Sequence, residues 1–128
     1  MNILLDTCTF LWISSGSAQL SPAARQLFAD PANEVYLSAV SAWEIAVKHG
    51  LGRLPLPSPP ERFIPEQRSQ HGIDPLALDE PAVLQLAKLP ARHRDPFDRI
   101  LVCQAIADGL TILTPDPLIG QYPVRTAW

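Results

Sequence analysis

Residues 92–116, RHRDPFDRILVCQAIADGLTILTPD, constrain the fold more than any other part of this sequence. Asp95 precedes Pro96 in the way that an N-cap residue precedes a proline at the first helical position. Asp98 then recurs at helical spacing with three apolar residues, so the spacing predicts that Asp98 lies on the inner face of the helix. Those apolar residues are Leu101, Val102 and Ala105.

The same stretch predicts a strand directly after this helix. Gly109 is typical of a helix C-terminus, and residues 110–113 are an apolar run that predicts a short buried strand. The strand is followed by Thr114, Pro115 and Asp116. One acid therefore begins the helix on its inner side, and another follows the next strand.

The N-terminal part of the chain repeats this succession of strand, acid and helix. Asn2–Leu5 is a short apolar run that predicts a buried strand, with Asp6 at its carboxyl end and a helix over residues 9–13. Glu34–Ser38 predicts a second strand. Strands that alternate with helices over short connections predict an α/β fold with a mainly parallel sheet.

The helix after the second strand has two possible N-caps. If Ser38 is the cap, Glu44 lies beyond the first turn, on the buried face. If Ser41 is the cap, Glu44 is only the partner of a capping box. We favour Ser38, because Val40 and Trp43 extend the apolar stripe upstream.

Three more helices are predicted: one over 22–29 that begins at Ser21-Pro22, one over 61–71 that Pro65 kinks or begins, and one from Asp79 to Leu89. A proline-rich connection covers residues 52–60, and a short edge strand is predicted within 122–128. We expect one domain, residues 1–128: a three-layer arrangement with four or five strands flanked by helices.

Composition excludes several classes of protein. The 47% hydrophobic and 18% charged residues are typical of a globular protein. No apolar run approaches the ~20 residues that span a bilayer, and no secretory signal is evident. Two cysteines neither build a disulfide scaffold nor have zinc-ligand spacing. We expect a cytoplasmic protein without membrane contact. The net charge of −3 argues mildly against nonspecific binding to polyanions.

Four acids are expected at one edge of the sheet. Asp6 and Asp116 follow strands, and ligands of parallel sheets bind beyond the carboxyl ends of the strands. Right-handed crossovers bring Glu44 and Asp98 to the same edge. Gathering these carboxylates is costly unless they are protonated or bind a hard cation. Mg²⁺ and Mn²⁺ prefer such ligands.

A divalent cation at this edge predicts phosphodiester hydrolysis. Two such ions about 4 Å apart activate a water and stabilise the leaving oxygen. Lys48 and Arg99 would then hold phosphate oxygens of a nucleic acid.

Each residue also has an ordinary structural interpretation. Asp6 and Asp95 fit N-caps, Asp98 fits a helix dipole and Asp116 a turn. Lys48 and Arg99 fit solvated or ion-paired residues. A surface position is expected for His93, although it is also a candidate general base. Apolar packing is expected for Cys8 and Cys103, and core positions for Trp12 and Trp43. The conjunction of four acids favours a functional site.

Several motifs together resemble the PIN-domain family, and within it the VapC-type toxins of bacterial type II toxin–antitoxin modules. They are LLDT at 4–7, SAVSAWEI at 38–45 with Lys48, HRDPFDRIL at 93–101 with Gln104-Ala105, and TPD at 114–116, and the likeness extends to the closing Tyr122 and Trp128. HRDPFDR is the most specific. Cys8, where relatives often carry histidine, and Pro115 depart from the usual pattern.

The resemblance implies a Mg²⁺- or Mn²⁺-dependent endoribonuclease with Asp6, Glu44, Asp98 and Asp116 as an acidic quartet and Asp95 as an accessory acid. It further implies a homodimer and a cognate antitoxin whose C-terminal segment occupies the groove, with DNA contacted only through that antitoxin.

Two other functions are compatible with the sequence. One is a catalytically degenerate PIN-like domain that acts in binding or regulation. The other is phosphoryl transfer through an aspartyl-phosphate at Asp6. The haloacid-dehalogenase pattern requires a second Asp two residues later, where this chain has Cys8.

Overall fold

The computed structural model describes all 128 residues and contains one five-stranded sheet. The strands are β1 (Asn2–Leu5), β2 (Glu34–Ser38), β3 (Asp74–Leu76), β4 (Thr111–Leu113) and β5 (Arg125–Ala127). The helices are α1 (Thr7–Ser15), α2 (Pro22–Ala29), α3 (Ala39–Gly50), α4 (Pro60–His71), α5 (Glu80–Leu84) and α6 (Pro96–Asp108), with 3₁₀ turns at Gln85–Lys88 and Ile119–Gln121. None of the helices combines the length and the apolar character that crossing a membrane requires.

The sheet has the order β3-β2-β1-β4-β5, and every neighbouring pair of strands is parallel. In the centre, Ile3 of β1 lies opposite Val35 of β2 and Thr111 of β4. Because all five strands run in one direction, their carboxyl ends meet at one edge. The α/β class and the parallel sheet predicted from the sequence are confirmed.

Two apolar clusters cover the two faces of the sheet and give three layers. Leu4 belongs to a cluster with Val40 and Leu101, whereas Ile3 and Leu5 belong to a cluster that includes residues of α1, α2 and α4. Since successive side chains of a strand point to opposite faces, a strand covered on both faces is apolar throughout. β1 is therefore buried at the centre of the molecule.

Local capping explains where the predicted helices begin and end. The side chains of Ser21, Ser38, Asp79 and Asp95 each accept a backbone N–H in the first turn of a helix. Gly109 ends α6 with a φ of 68°, a conformation that favours glycine. The N-cap at Ser38 confirms the favoured interpretation of α3.

Several elements differ from the predictions. β3, which contains Pro75, was not predicted from the sequence. A proline is tolerated in this strand because β3 lies at the sheet edge, where the missing N–H is not needed. α1 begins at Thr7, two residues before the predicted start, and α4 begins at Pro60 and continues through Pro65. Pro65 is therefore not the start of that helix.

The core position predicted for Trp43 is wrong. Its side chain is 56% exposed, and its ring packs edge-to-face on Phe97 with centroids 4.9 Å apart. Trp12 is partly buried and packs in the same manner on Trp128 at 5.7 Å. The buried face of α3 therefore runs through Val40, Ser41, Glu44 and Ile45, and Trp43 lies beside it.

Candidate functional site

A cavity of about 260 Å³ opens at the carboxyl ends of β1 and β4. Its walls bring together all five acids that the sequence analysis had singled out, together with Lys48. The lining residues are Asp6, Thr7, Cys8, Trp12, Glu44, Lys48, Asp95, Asp98, Pro115 and Asp116. The acids come from distant parts of the chain, and the parallel sheet is what places them at one edge.

Asp6 is both the N-cap of α1 and a wall of the cavity. One carboxylate oxygen accepts the backbone N–H of Thr9 at 2.7 Å, and the other accepts the hydroxyl of Thr114. The residue is only 6% exposed. Burial raises the pKa of Asp6, the bonds from Thr114 and Thr9 oppose that rise, and the negative charge of Asp116 adds to it. The capping interpretation is thus correct without removing Asp6 from the cavity.

Glu44 is held in the cavity wall from two sides. It lies on the inner face of α3 and is 5% exposed. The hydroxyl of Thr7 donates to its Oε1 at 2.7 Å, and Lys48, one turn later, forms an ion pair with its Oε2. Since the single proton of Thr7 is used in this way, the hydroxyl of Ser41, 3.0 Å away, donates to Thr7. The bond to Glu44 raises the pKa of Lys48.

Asp95 and Asp98 stand at the start of α6. Asp95 accepts the backbone N–H groups of Phe97 at 2.9 Å and of Asp98 at 3.1 Å, so it is the N-cap that the sequence predicts. The side chain of Asp98 is 19% exposed, and its Oδ2 lies 3.4 Å from Nε2 of His93. Burial and the neighbouring charge of Asp95 raise the pKa of Asp98 to about 6.

Asp116 forms the turn after β4 and also lines the cavity. Its backbone N–H donates to the hydroxyl of Thr114 at 3.1 Å, and its Oδ1 accepts the N–H of Leu118 at 2.9 Å. Pro115 lies beside it in the wall. Thr114 therefore contacts both acids that follow the central strands.

Arg99, the other predicted phosphate contact, lies outside the cavity wall. Its Nη1 donates to the carbonyl oxygen of Pro90 at 3.2 Å and to the hydroxyl of Tyr122 at 3.4 Å. Of the two predicted basic residues, the structure brings only Lys48 to the acids.

Two expectations about single residues are wrong. His93 is not a surface residue, because its side chain is only 10% exposed and lies between Tyr122 and Asp98. Cys8 is not a packing residue, because it is exposed and lines the cavity. The cavity wall removes part of the water around its thiol, and this desolvation and the charges of Asp6 and Glu44 raise the pKa of the thiol. Cys103, in contrast, is buried as expected.

Three residues that support the acids, directly or through another side chain, had no predicted role. Thr7 and Thr114 donate to the buried carboxylates, and Tyr122 contacts His93 and Arg99. Thr7 directly follows Asp6, and Thr114 precedes Asp116 by two residues, so adjacency to a strand-end acid is the signal that was available.

The acids share a cavity without converging on one point. No group of three or more His, Cys, Asp and Glu side chains is arranged to hold a metal ion. Each of the five carboxylates is already engaged by a hydrogen-bond donor or ion-pair partner of the protein. Binding an ion here therefore requires some side chains to turn, or water to complete the coordination.

Comparison with known proteins identifies a family. The model of the PIN domain family matches residues 3–123. Ribonuclease VapC16 of Mycobacterium tuberculosis is 42% identical over 55 residues, a region that is 43% of this chain and 39% of that protein.

Solved structures share the whole fold. The structure of VapBC2 from Rickettsia felis, bound to a DNA fragment from its promoter, has a TM-score of 0.72 at 12% identity and covers 99% of this chain and 98% of that chain. DNA-bound VapBC from Salmonella typhimurium has a TM-score of 0.69 at 17% identity, covering 99% and 97%. At such identities the likeness concerns the fold.

Proposed function

The chain belongs to the PIN domain family, and from this premise we propose that it is a Mg²⁺- or Mn²⁺-dependent endoribonuclease, the VapC-type toxin of a bacterial toxin–antitoxin module. The observation that carries the proposal is the single cavity lined by Asp6, Glu44, Asp98 and Asp116, with Asp95 beside them. Four acids that acted only as separate helix caps and turn residues would have no reason to line the same cavity. The 42% identity to part of a ribonuclease supports the same activity.

The donor set fits a hard divalent cation. Carboxylate oxygens are the ligands that Mg²⁺ and Mn²⁺ prefer, and Mg²⁺ usually keeps several waters. A cavity of about 260 Å³ has room for an ion with part of its water shell, since a water takes about 30 Å³. The raised pKa values of Asp6 and Asp98 also indicate that hydrogen bonds from the protein stabilise their negative charge only in part. We propose that the quartet holds the ion and that Asp95 assists.

The protein residues supply orientation and charge. A bound divalent ion would activate a water and stabilise the leaving oxygen of a phosphodiester. Thr7 and Thr114 fix the carboxylates of Glu44 and Asp6 by hydrogen bonds. Lys48 is positioned to transfer from Glu44 to a phosphate oxygen of RNA. Arg99 contributes to phosphate binding only with the parts of its guanidinium that Pro90 and Tyr122 do not engage.

The proposed partners follow from the same family. We propose a cytoplasmic homodimer that is inhibited by a cognate antitoxin, whose C-terminal segment occupies the groove at the cavity. DNA is then contacted only through the antitoxin. The VapBC structures that share this fold, two of them DNA-bound, support such an assembly.

A second candidate is a catalytically degenerate PIN domain that binds without cleaving. The observation in its favour is that no three potential ligands are already arranged around one ion position. It predicts no metal-dependent hydrolysis and no Mn²⁺ binding in calorimetry, so a single set of experiments separates the two candidates.

The test is RNA cleavage by purified, antitoxin-free protein with Mg²⁺ or Mn²⁺, stopped by EDTA. Asp6→Asn should lower the rate by more than about 100-fold, because it removes a charged ligand, while the helix cap is kept, since Asn caps as well as Asp. The matched control is Asp79→Asn, the same change at the N-cap of α5, which should cleave like the wild type. Full activity in Asp6→Asn, or in EDTA, would refute the proposal.

A further inference from the structure

The hydroxyl of Tyr122 is a buried junction between two segments. Tyr122 is 3% exposed. The backbone N–H of His93 donates to its Oη at 3.2 Å, Nη1 of Arg99 donates at 3.4 Å, and Nδ1 of His93 lies 2.7 Å away. These contacts join α6 and the segment before it to the segment before β5.

The number of hydrogen-bond positions on this oxygen determines the histidine tautomer. A phenol oxygen has one proton to donate and two positions that accept. The two N–H groups of His93 and Arg99 occupy both accepting positions, so the hydroxyl proton of Tyr122 is directed to Nδ1 of His93. In the neutral imidazole the remaining proton is then on Nε2. That atom faces Oδ2 of Asp98 at 3.4 Å.

We propose that His93 is a positioning residue for Asp98 and that Tyr122 fixes the tautomer in which it acts. The proposal rests on the metal-dependent activity proposed above. By donating from Nε2 to Oδ2, His93 orients the carboxylate of Asp98 and leaves Oδ1 without this bond. An Nε2 that carries the proton has no free lone pair, so His93 neither binds the ion nor acts as the general base in this state.

The arrangement also gives Arg99 a role other than phosphate binding. Its guanidinium occupies one accepting position of the Tyr122 hydroxyl. Without that donor, the hydroxyl of Tyr122 is free to accept from Nδ1, and only the carboxylate of Asp98 then favours the proton on Nε2. Arg99 therefore supports the orientation of Asp98 through Tyr122 and His93.

The tautomer is measured without any metal. In ¹⁵N-labelled metal-free protein at a pH where His93 is neutral, the imidazole nitrogen shifts should show protonated Nε2 and unprotonated Nδ1. Tyr122→Phe, which keeps the ring but removes the hydroxyl, should weaken this preference, which then depends on the carboxylate of Asp98 alone. A wild-type protein with its proton on Nδ1 would overturn the proposal. His49 is an internal reference, since its Nδ1 contacts the carbonyl oxygen of Leu54 at 2.9 Å, which requires protonated Nδ1.

Orientation is measured as Mn²⁺ affinity by titration calorimetry. His93→Ala should weaken binding by about 10- to 100-fold, the usual effect of losing a residue that orients a ligand. His93→Gln should restore affinity to near the wild-type value, because glutamine can place an N–H close to the position of Nε2. His49→Ala, a histidine of α3 outside the cavity, should bind Mn²⁺ like the wild type.

The outcomes distinguish the two proposals. If the wild-type protein binds Mn²⁺ and His93→Ala binds it equally well, the positioning role is wrong and the nuclease proposal stands. The same holds if His93→Gln is as weak as His93→Ala. If the wild-type protein binds no Mn²⁺, the proposed function fails, and the positioning role fails with it.

Discussion

Replacing Asp98 with asparagine should stabilise the metal-free protein at neutral pH. Burial and the charge of Asp95 raise the pKa of Asp98 from 3.8 to about 6 in the folded state. The folded protein therefore binds this proton more tightly than the unfolded chain does. Above pH 6 the carboxylate is charged and its unfavourable surroundings lower the free energy of unfolding.

The size of the effect follows from the shift in pKa. A change from 3.8 to about 6 corresponds to at most about 3 kcal/mol, because one pKa unit is about 1.4 kcal/mol. Asparagine also loses the attraction of a carboxylate to the N-terminus of α6, about 0.3–1 kcal/mol, and the partial exposure of Asp98 reduces the gain further. We expect a net stabilisation of about 1–2 kcal/mol at pH 7.5, or about 4–8 °C in Tm.

The pH dependence tests the sign of the effect of Asp98 on the free energy of unfolding. For the wild-type protein, the contribution of this group is fully present below pH 4 and is lost as the pH rises through 6, because the native state binds more protons in that interval. Because Asp98→Asn has no ionisable group at this position, its stability should not fall in this way. The two proteins should therefore differ little in Tm at pH 4 and diverge as the pH rises.

The assay is thermal unfolding followed by circular dichroism from pH 4 to pH 8 in EDTA. Glu61→Gln is the matched control, since Glu61 occupies the first turn of α4 but is exposed and does not line the cavity. It should lower stability slightly at neutral pH. An Asp98→Asn protein that melts at or below the wild-type temperature at pH 7.5 would refute the electrostatic reasoning. Saturating Mn²⁺ should reverse the order, adding about 2.7 kcal/mol to the wild type at 100 times Kd.

Three further predictions concern the supports of the cavity and the core. Thr114→Val removes the donor to Asp6, so the pKa of Asp6 should rise further and the free energy of unfolding should fall by about 1–2 kcal/mol. The pKa is measured by ¹³C titration of the Asp6 carboxyl and the stability by urea unfolding; an unshifted pKa would contradict the first effect. A bulky maleimide should react with exposed Cys8 slowly near neutral pH and faster as the pH rises, because the thiolate is the reactive form and the pKa of this thiol is raised. The reaction should block RNA cleavage, whereas Cys8→Ser should be protected from the reagent; labelled protein that still cleaves RNA would contradict this. Leu4→Ala, at the fully buried centre of β1, should lower the free energy of unfolding in urea by about 2–5 kcal/mol. Trp43→Ala, at an exposed side chain, should lower it by about 1 kcal/mol or less; similar losses at both sites would show that burial has been assigned wrongly.

Features set by neighbours in sequence were predictable. The starts of α2, α3 and α6 follow from Ser21, Ser38 and Asp95, because a cap acts within its own turn. The edge at which the acids meet also followed, since strand direction alone determines it. β3 was missed because it has only three residues and a proline, and its pairing with β2 is a long-range contact.

Features set by contacts between distant segments were not predictable. Periodicity places Trp43 beside the buried face of α3 but does not show where that face ends. The burial of His93 depends on Tyr122, 29 residues later in the chain. Cys8 follows two buried residues, and only the packed structure shows that its side chain reaches the cavity.

The strand order has a consequence for synthesis of the protein. β1 is made first, yet its position between β2 and β4 is completed only when β4 is joined to the sheet. Thr114 and Asp116, which follow β4, are synthesised after β1, β2 and the helices that carry Glu44 and Asp98. A nascent chain that has not reached Asp116 therefore has an incomplete cavity, and it should not cleave RNA if the proposed function is correct.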